Sequence, residues 1–91
     1  MQRCQGVFLI KNKLGLHARA ATTLAQLSTQ FDAQITLYQG DKSAQGDSVL
    51  ALLLLESSQG KEVEVRCTGP DAKNALIAIG NLIEDKFHEA E

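Results

Sequence analysis

The segment KEVEVRCTGPDAKNALIAIGNLIEDKF, residues 61–87, contains the two clearest secondary-structure patterns of this chain. Valine and cysteine alternate with charged residues over residues 61–68, which predicts a strand with one face buried. Apolar residues then recur at helical spacing over residues 72–87 and predict a helix, with Pro70 at its first position. A half-exposed strand followed by an amphipathic helix indicates a sheet covered on one face by helices.

The preceding residues fit the same architecture. Their patterns predict a strand over residues 4–11 and a helix beginning close to His17. A strand over residues 33–38, a turn at Gln39-Gly40-Asp41 and a short strand ending near Gly46 follow. The next element is a helix over residues 49–55, capped by Asp47 or Ser48. The order strand, helix, strand, strand, helix, strand, helix predicts an α+β fold with a four-stranded sheet. A length of 91 residues predicts a single domain, residues 1–91.

Composition excludes several classes of function. Nine basic and eleven acidic residues give a net charge of −2, and aromatic residues make up only 4%, so we expect no nucleic-acid partner. The longest apolar run, residues 49–55, is far shorter than the roughly 20 residues that span a bilayer, and no signal peptide is indicated, so we expect a cytoplasmic protein without membrane insertion. Cys4 and Cys67 lack metal-site spacing and are expected to be free thiols on the core side of their strands.

His17 is the first residue with potential chemistry, because it stands where a glycine-containing loop meets a helix. The amides of Ala18 and Arg19, with the Arg19 guanidinium, form an anion site at the helix N-terminus. The helix dipole disfavours a protonated imidazole there, so we expect a neutral ring whose lone pair attacks phosphorus. The alternative is that His17 is an exposed histidine without a function.

The segment NKLGLHARAA, residues 12–21, resembles the active-site loop of the histidine phosphocarrier proteins of the bacterial phosphotransferase system, the HPr family. The resemblance extends to Ser48 and the apolar helix after it, to Gly60, and to Gly69-Pro70. It implies an open-faced β-sandwich, in which a four-stranded antiparallel sheet is covered on one face by three helices. The loop and residues 48–53 are more similar to the nitrogen-related branch of the family, NPr, than to the sugar carriers.

The resemblance also implies specific roles. His17 would be phosphorylated on the ring nitrogen nearer the backbone, and Arg19 would neutralise the phosphoryl group. Enzyme I would supply that group from phosphoenolpyruvate, and an Enzyme IIA-type protein would accept it, so the chain would be a monomeric carrier without a cofactor or metal rather than an enzyme. Partners would dock on Val49, Leu50 and Leu53.

The apolar helix supports this docking surface independently. A two-turn helix that is apolar on every side cannot bury all of its surface in a domain this small, so Val49, Leu50, Leu53 and Leu54 should be partly exposed while Leu52 is buried. The runner-up function is a regulatory module that docks partners according to its phosphorylation state without onward transfer. A hydrolase is excluded because no paired carboxylates, nucleophile triad or metal cluster accompanies His17.

Three further residues complete the expectations. Ala20 stands where the family has proline, which loosens the first helical turn without removing a group that touches phosphate. Ser48 is either a regulatory site of a serine kinase, as in some relatives, or simply a helix N-cap. His88 is expected to be a favourable cation at the end of the last helix rather than a ligand.

Overall fold

The structure is a computed structural model that describes residues 2–91. The elements, in order, are β1 (Arg3–Leu9), α1 (Ala18–Ser28), β2 (Gln34–Gln39), β3 (Lys42–Gln45), α2 (Val49–Leu54), β4 (Glu62–Thr68), α3 (Ala72–Glu84) and a 3-10 turn (Lys86–His88). All strand pairs are antiparallel, in the spatial order β1-β4-β2-β3. The predicted open sheet with three helices is therefore confirmed.

The core lies between the sheet and the helices. In β4 the predicted inward residues Val63, Val65 and Cys67 are buried, and their neighbours on the other face are half-buried or exposed. Helix α3 packs closely on β1, since a Cβ atom at Gly80 would lie only 2.6 Å from the ring of Phe8. This packing fixes the direction of α3, whose end leads the chain back toward the start of α1.

The prediction that Pro70 is the first helical residue was wrong. Helix α3 begins at Ala72, and Asp71 is the residue before it. The Asp71 carboxylate accepts a hydrogen bond of 2.9 Å from the backbone N–H of Asp32, so it ties the start of α3 to the entry of β2 instead of capping the helix. Proline here belongs to the turn, in which Ala72 N–H donates to the Gly69 carbonyl at 3.2 Å.

The prediction that the last helix reaches Phe87 was also wrong. Helix α3 ends at Glu84, and Lys86, Phe87 and His88 all have φ between 54° and 65°. Phe87 keeps the apolar period because it is buried in the core, but the left-handed backbone reverses the chain direction around it. His88 consequently lies outside the helix and bonds Asp85 through Nδ1 at 2.7 Å.

The remaining boundaries differ slightly from the predictions. Strand β1 ends at Leu9 rather than residue 11, and α2 ends at Leu54 rather than residue 55. None of the helices in residues 2–91 combines the length and the apolar character needed to cross a membrane.

Candidate functional site

The loop between β1 and α1 is held by a buried asparagine and a glycine. The Asn12 side chain is fully buried, and its Nδ2 donates to the Gly15 carbonyl at 2.7 Å. Gly15 has a φ of +65°, and a Cβ atom there would lie 2.5 Å from the Ser57 carbonyl oxygen, so only glycine fits without movement. Leu16 N–H donates to that same oxygen at 2.8 Å. The loop is therefore pinned against the segment that follows α2.

This loop delivers His17 to the N-cap position of α1. Its backbone is extended, with φ −85° and ψ −176°, and its carbonyl accepts the first helical hydrogen bond from Ala21 N–H at 2.8 Å. The imidazole makes no capping bond, which leaves the first-turn amides of Ala18 and Arg19 without partners inside the helix. The structure thus brings together His17, Ala18 and Arg19 at a helix N-terminus, as the sequence predicted.

The C-terminal residues supply a neighbour of His17 that the sequence analysis missed. The Nε2 atom of His17 is hydrogen-bonded to Oε2 of Glu89, and the other carboxylate oxygen accepts from Asn12 Nδ2 at 2.8 Å. Lys13 N–H donates to the Glu91 carbonyl at 2.9 Å and holds the same segment. The sequence offered no signal for this contact beyond the acidic residues after the last helix, because Glu89 lies 72 positions from His17.

Glu89 is a carboxylate in this environment. Burial opposes its ionisation, but the hydrogen bonds from Asn12 and His17, together with the charges of His17 and Arg19, hold the pKa of Glu89 below its usual value. A carboxylate can only accept, so the hydrogen in the contact resides on Nε2 of His17. In the neutral ring the lone pair is then on Nδ1, the nitrogen nearer the backbone.

Helix α2 presents the predicted partly exposed leucines. Leu52 is fully buried, whereas Leu50 and Leu54 are 68% and 64% exposed, Leu53 is 37% exposed and Val49 is half-buried. Ser48 caps this helix, since its side chain accepts from Ala51 N–H at 3.2 Å.

An exposed leucine in the loop itself was not predicted from the sequence. Leu14 is 66% exposed and lines a shallow groove with Arg19 and Glu89. Its signal was an apolar residue between a lysine and a glycine in the loop. This leucine places an exposed apolar side chain beside the candidate anion site.

Among residues 2–91 no cluster of three or more histidine, cysteine or acidic side chains is arranged to hold a metal ion. The site is instead a histidine, an arginine and a carboxylate at a helix start. A family model described as "PTS HPr component phosphorylation site" matches residues 5–85. The chain belongs to the HPr family. As a member it is a phosphocarrier of the phosphotransferase system rather than a conventional enzyme.

The predicted similarity to the nitrogen-related branch of the HPr family is confirmed. Phosphocarrier protein NPr of Shewanella violacea is 51% identical over 90 residues, covering 99% of each chain. Phosphocarrier protein NPr of Escherichia coli K12 is 43% identical over 81 residues, covering 88% of this chain and 90% of that protein. Among solved structures, HPr-C-His from Thermoanaerobacter tengcongensis is 35% identical and superposes with a TM-score of 0.92, covering 97% of this chain and 99% of that one.

Proposed function

We propose that this chain is a cytoplasmic, monomeric phosphoryl carrier of the nitrogen-related branch. His17 accepts a phosphoryl group that Enzyme I derives from phosphoenolpyruvate, and passes it to an Enzyme IIA-type acceptor. The observation that carries the proposal is the hydrogen bond between Nε2 of His17 and Glu89 at the uncapped start of α1, which supports Nδ1 as the nucleophile.

Each neighbouring group has a role in this transfer. The Nδ1 lone pair forms a bond to phosphorus while the bond between phosphorus and the donor breaks. The electron pair of the broken bond leaves with the donor. The amides of Ala18 and Arg19 and the exposed Arg19 guanidinium then face the negative charge of the phosphoryl group. Transfer to the acceptor reverses the same step.

Partner proteins need a surface beside the phosphoryl group. The exposed leucines of α2 support docking on Val49, Leu50 and Leu53, because exposed apolar side chains on a small protein mark interaction sites. Ser57, against which the His17 loop is pinned, lies only three residues after the end of α2. A partner on this face would therefore approach the histidine.

The test is phosphorylation of the purified chain with phosphoenolpyruvate and Enzyme I of the nitrogen-related branch. We expect one acid-labile, alkali-stable phosphoryl group on His17, transfer of that group to an Enzyme IIA-type acceptor, and no labelling of His17→Ala. Phosphorylation of Ser48 or His88 instead of His17, or no phosphorylation while a known carrier is phosphorylated, would refute the proposed carrier function. A phosphorylated His17 that never discharges to an acceptor would instead favour the regulatory module.

A further inference from the structure

The contact between Glu89 and His17 has a role that the family resemblance does not imply. We propose that Glu89 is a positioning residue for phosphorylation of His17, which fixes the hydrogen on Nε2 and stabilises the charge that the ring acquires. This inference rests on the proposed phosphoryl transfer. It concerns a side chain that reaches the reacting ring only through the C-terminal reversal after α3.

The proposed phosphoryl transfer changes the charge of the His17 ring. When Nδ1 of a neutral ring forms a bond to phosphorus and Nε2 keeps its hydrogen, the ring gains a positive charge. The Glu89 carboxylate faces Nε2 and offsets that charge, as the buried aspartate does for the histidine of a serine protease triad. When the phosphoryl group leaves for an acceptor, the ring returns to its neutral form with Nδ1 free again.

The fold holds this carboxylate in place. Only 11% of the Glu89 side chain and 25% of the His17 side chain are exposed. The second Glu89 oxygen is held by Asn12, whose side chain is buried and is itself bonded to the His17 loop. The segment is anchored on one side by buried Phe87 and on the other by the bond from Lys13 to the Glu91 carbonyl.

The test compares Glu89→Gln with Glu91→Gln, a matched control that removes the same charge from the same segment at a side chain that is 77% exposed. Glutamine keeps one acceptor but no charge. Since charge-assisted hydrogen bonds are about twice as strong as neutral ones, we expect Glu89→Gln to lower kcat for His17 phosphorylation roughly tenfold at unchanged KM. Glu91→Gln should match the wild type.

A nitrogen-15 NMR spectrum of the His17 ring provides a second readout that general destabilisation would not move. In the neutral wild-type ring we expect the hydrogen on Nε2. A hydrogen on Nδ1, equal rates for Glu89→Gln and the wild type, or equal losses in both variants would overturn the role of Glu89 while His17 remained the acceptor. Absence of His17 labelling in the wild type would refute the proposed function itself.

A separate observation concerns the two cysteines, which the sheet places opposite each other. Cys4 on β1 is the direct register partner of Cys67 on β4, on the core side of the sheet. Gly69 N–H donates to the Gln2 carbonyl at 3.0 Å, so Cys4, two residues further along β1, also belongs to a hydrogen-bonded pair. Such pairs have Cα atoms about 5.5 Å apart, within the span of a disulfide. We infer that Cys4 and Cys67 form a reversible disulfide under oxidation.

The two thiols are not equivalent. Cys67 is buried, and burial together with neighbouring Cys4 raises its pKa to about 11, whereas Cys4 is half-buried on an edge strand. Hydrogen peroxide would oxidise Cys4 to a sulfenic acid and release one water. The Cys67 sulfur would then bond to the Cys4 sulfur and release a second water, so the thiols lose two electrons and peroxide is reduced.

The strand geometry makes this bond reversible. Paired residues have Cβ atoms about 4.5–5.5 Å apart, which exceeds the roughly 3.5–4.5 Å of a relaxed disulfide. Edge strand β1 must therefore move toward β4, and a strained disulfide is more easily reduced.

The test treats the wild type, Cys4→Ser and Cys67→Ala with hydrogen peroxide, after circular dichroism has shown that each variant is folded. We expect the wild-type monomer to lose two hydrogens by intact mass and both thiols together, to gain several degrees in Tm, and to recover with dithiothreitol. Neither variant should do so. A wild type that keeps the Cys67 thiol, that stops at sulfinic acid on Cys4, or that forms only intermolecular dimers would overturn the inference.

Discussion

Replacement of Gly15 by alanine tests whether the His17 loop is truly pinned. A Cβ atom at Gly15 would lie 2.5 Å from the Ser57 carbonyl oxygen and 2.8 Å from the Ser58 Cα. These are backbone atoms, which cannot rotate aside as a flexible side chain would. Gly40, in the turn between β2 and β3, is a matched control, because it has a similar φ of +60° but nothing within 4 Å of its Cβ position.

The two variants separate the cost of a left-handed backbone from the cost of the contact. A left-handed alanine costs roughly 1–2 kcal/mol, which should be the whole effect of Gly40→Ala on the free energy of unfolding. Overpacking adds about 1–3 kcal/mol, so Gly15→Ala should lose about 2–5 kcal/mol. The displacement also disturbs the hydrogen bond from Leu16 N–H to Ser57.

Urea denaturation gives the free energies of unfolding, and the initial rate of His17 phosphorylation gives the functional effect. We expect only Gly15→Ala to slow phosphorylation under conditions where both variants are folded. Equal losses of stability would show that the loop relaxes freely away from Ser57. A normal rate in a strongly destabilised Gly15→Ala would show that the pinned loop is not what positions His17.

Four other expectations follow from the same structure. Leu50→Glu should leave Tm nearly unchanged and weaken Enzyme I binding by about 1–3 kcal/mol. The control Ile77→Glu, at a side chain that is 52% exposed on α3, should not affect binding, and calorimetry measures both Tm and the binding affinity. Ser48→Ala should lower the free energy of unfolding by about 1 kcal/mol because the helix cap is lost. Ser48→Asp should fold and accept a phosphoryl group on His17 at the wild-type rate, whereas slower phosphorylation of His17 in a folded Ser48→Asp would indicate that this position is regulatory. Ala20→Pro should raise the free energy of unfolding, measured by urea denaturation, by roughly 0.5 kcal/mol, because the amide of this first-turn residue needs no partner. A lower free energy of unfolding would show that the proline ring does not fit this buried position. Burial opposes ionisation of Glu89, but its hydrogen bonds to Asn12 and His17 and the nearby charges lower the pKa of Glu89. The contribution of Glu89 to the free energy of unfolding is therefore complete above about pH 5 and is lost as the pH falls through its folded-state pKa. In acid titrations, the stability of Glu89→Gln should depend less on pH than that of the wild type.

The elements that the sequence predicted are those with local causes. Strand β4 follows from an alternation of neighbouring residues, and α3 from an apolar period that needs no knowledge of the rest of the chain. His17 and Arg19 were predictable for the same reason, since a helix start and its first two residues form one local unit. The exposure of Leu50 followed from counting apolar surface against the size of the domain.

The features that were missed arise from long-range contacts. Glu89 contacts His17 because three consecutive residues after Asp85 adopt positive φ. None of the three is a glycine or asparagine, the residues whose presence would predict a left-handed backbone. Cys4 faces Cys67 because of strand order and register, which alternation within each strand does not specify. Pro70 was misplaced because its local pattern is typical of a helix start, whereas the tertiary bond from Asp32 to Asp71 fixes the boundary.

The charges around His17 suit a carrier, which must release a phosphoryl group as readily as it accepts one. In the proposed transfer, Arg19 and the first-turn amides would attract the phosphoryl dianion, but the Arg19 side chain is exposed, so water and salt would screen its attraction. Glu89 would repel the dianion while it compensated the charge of the ring that lies between them. In the proposed role, a second buried cation in place of Glu89 would hold the phosphoryl group more tightly and slow its departure. In that role, the pairing of one screened cation with one carboxylate would keep attachment and release close in free energy.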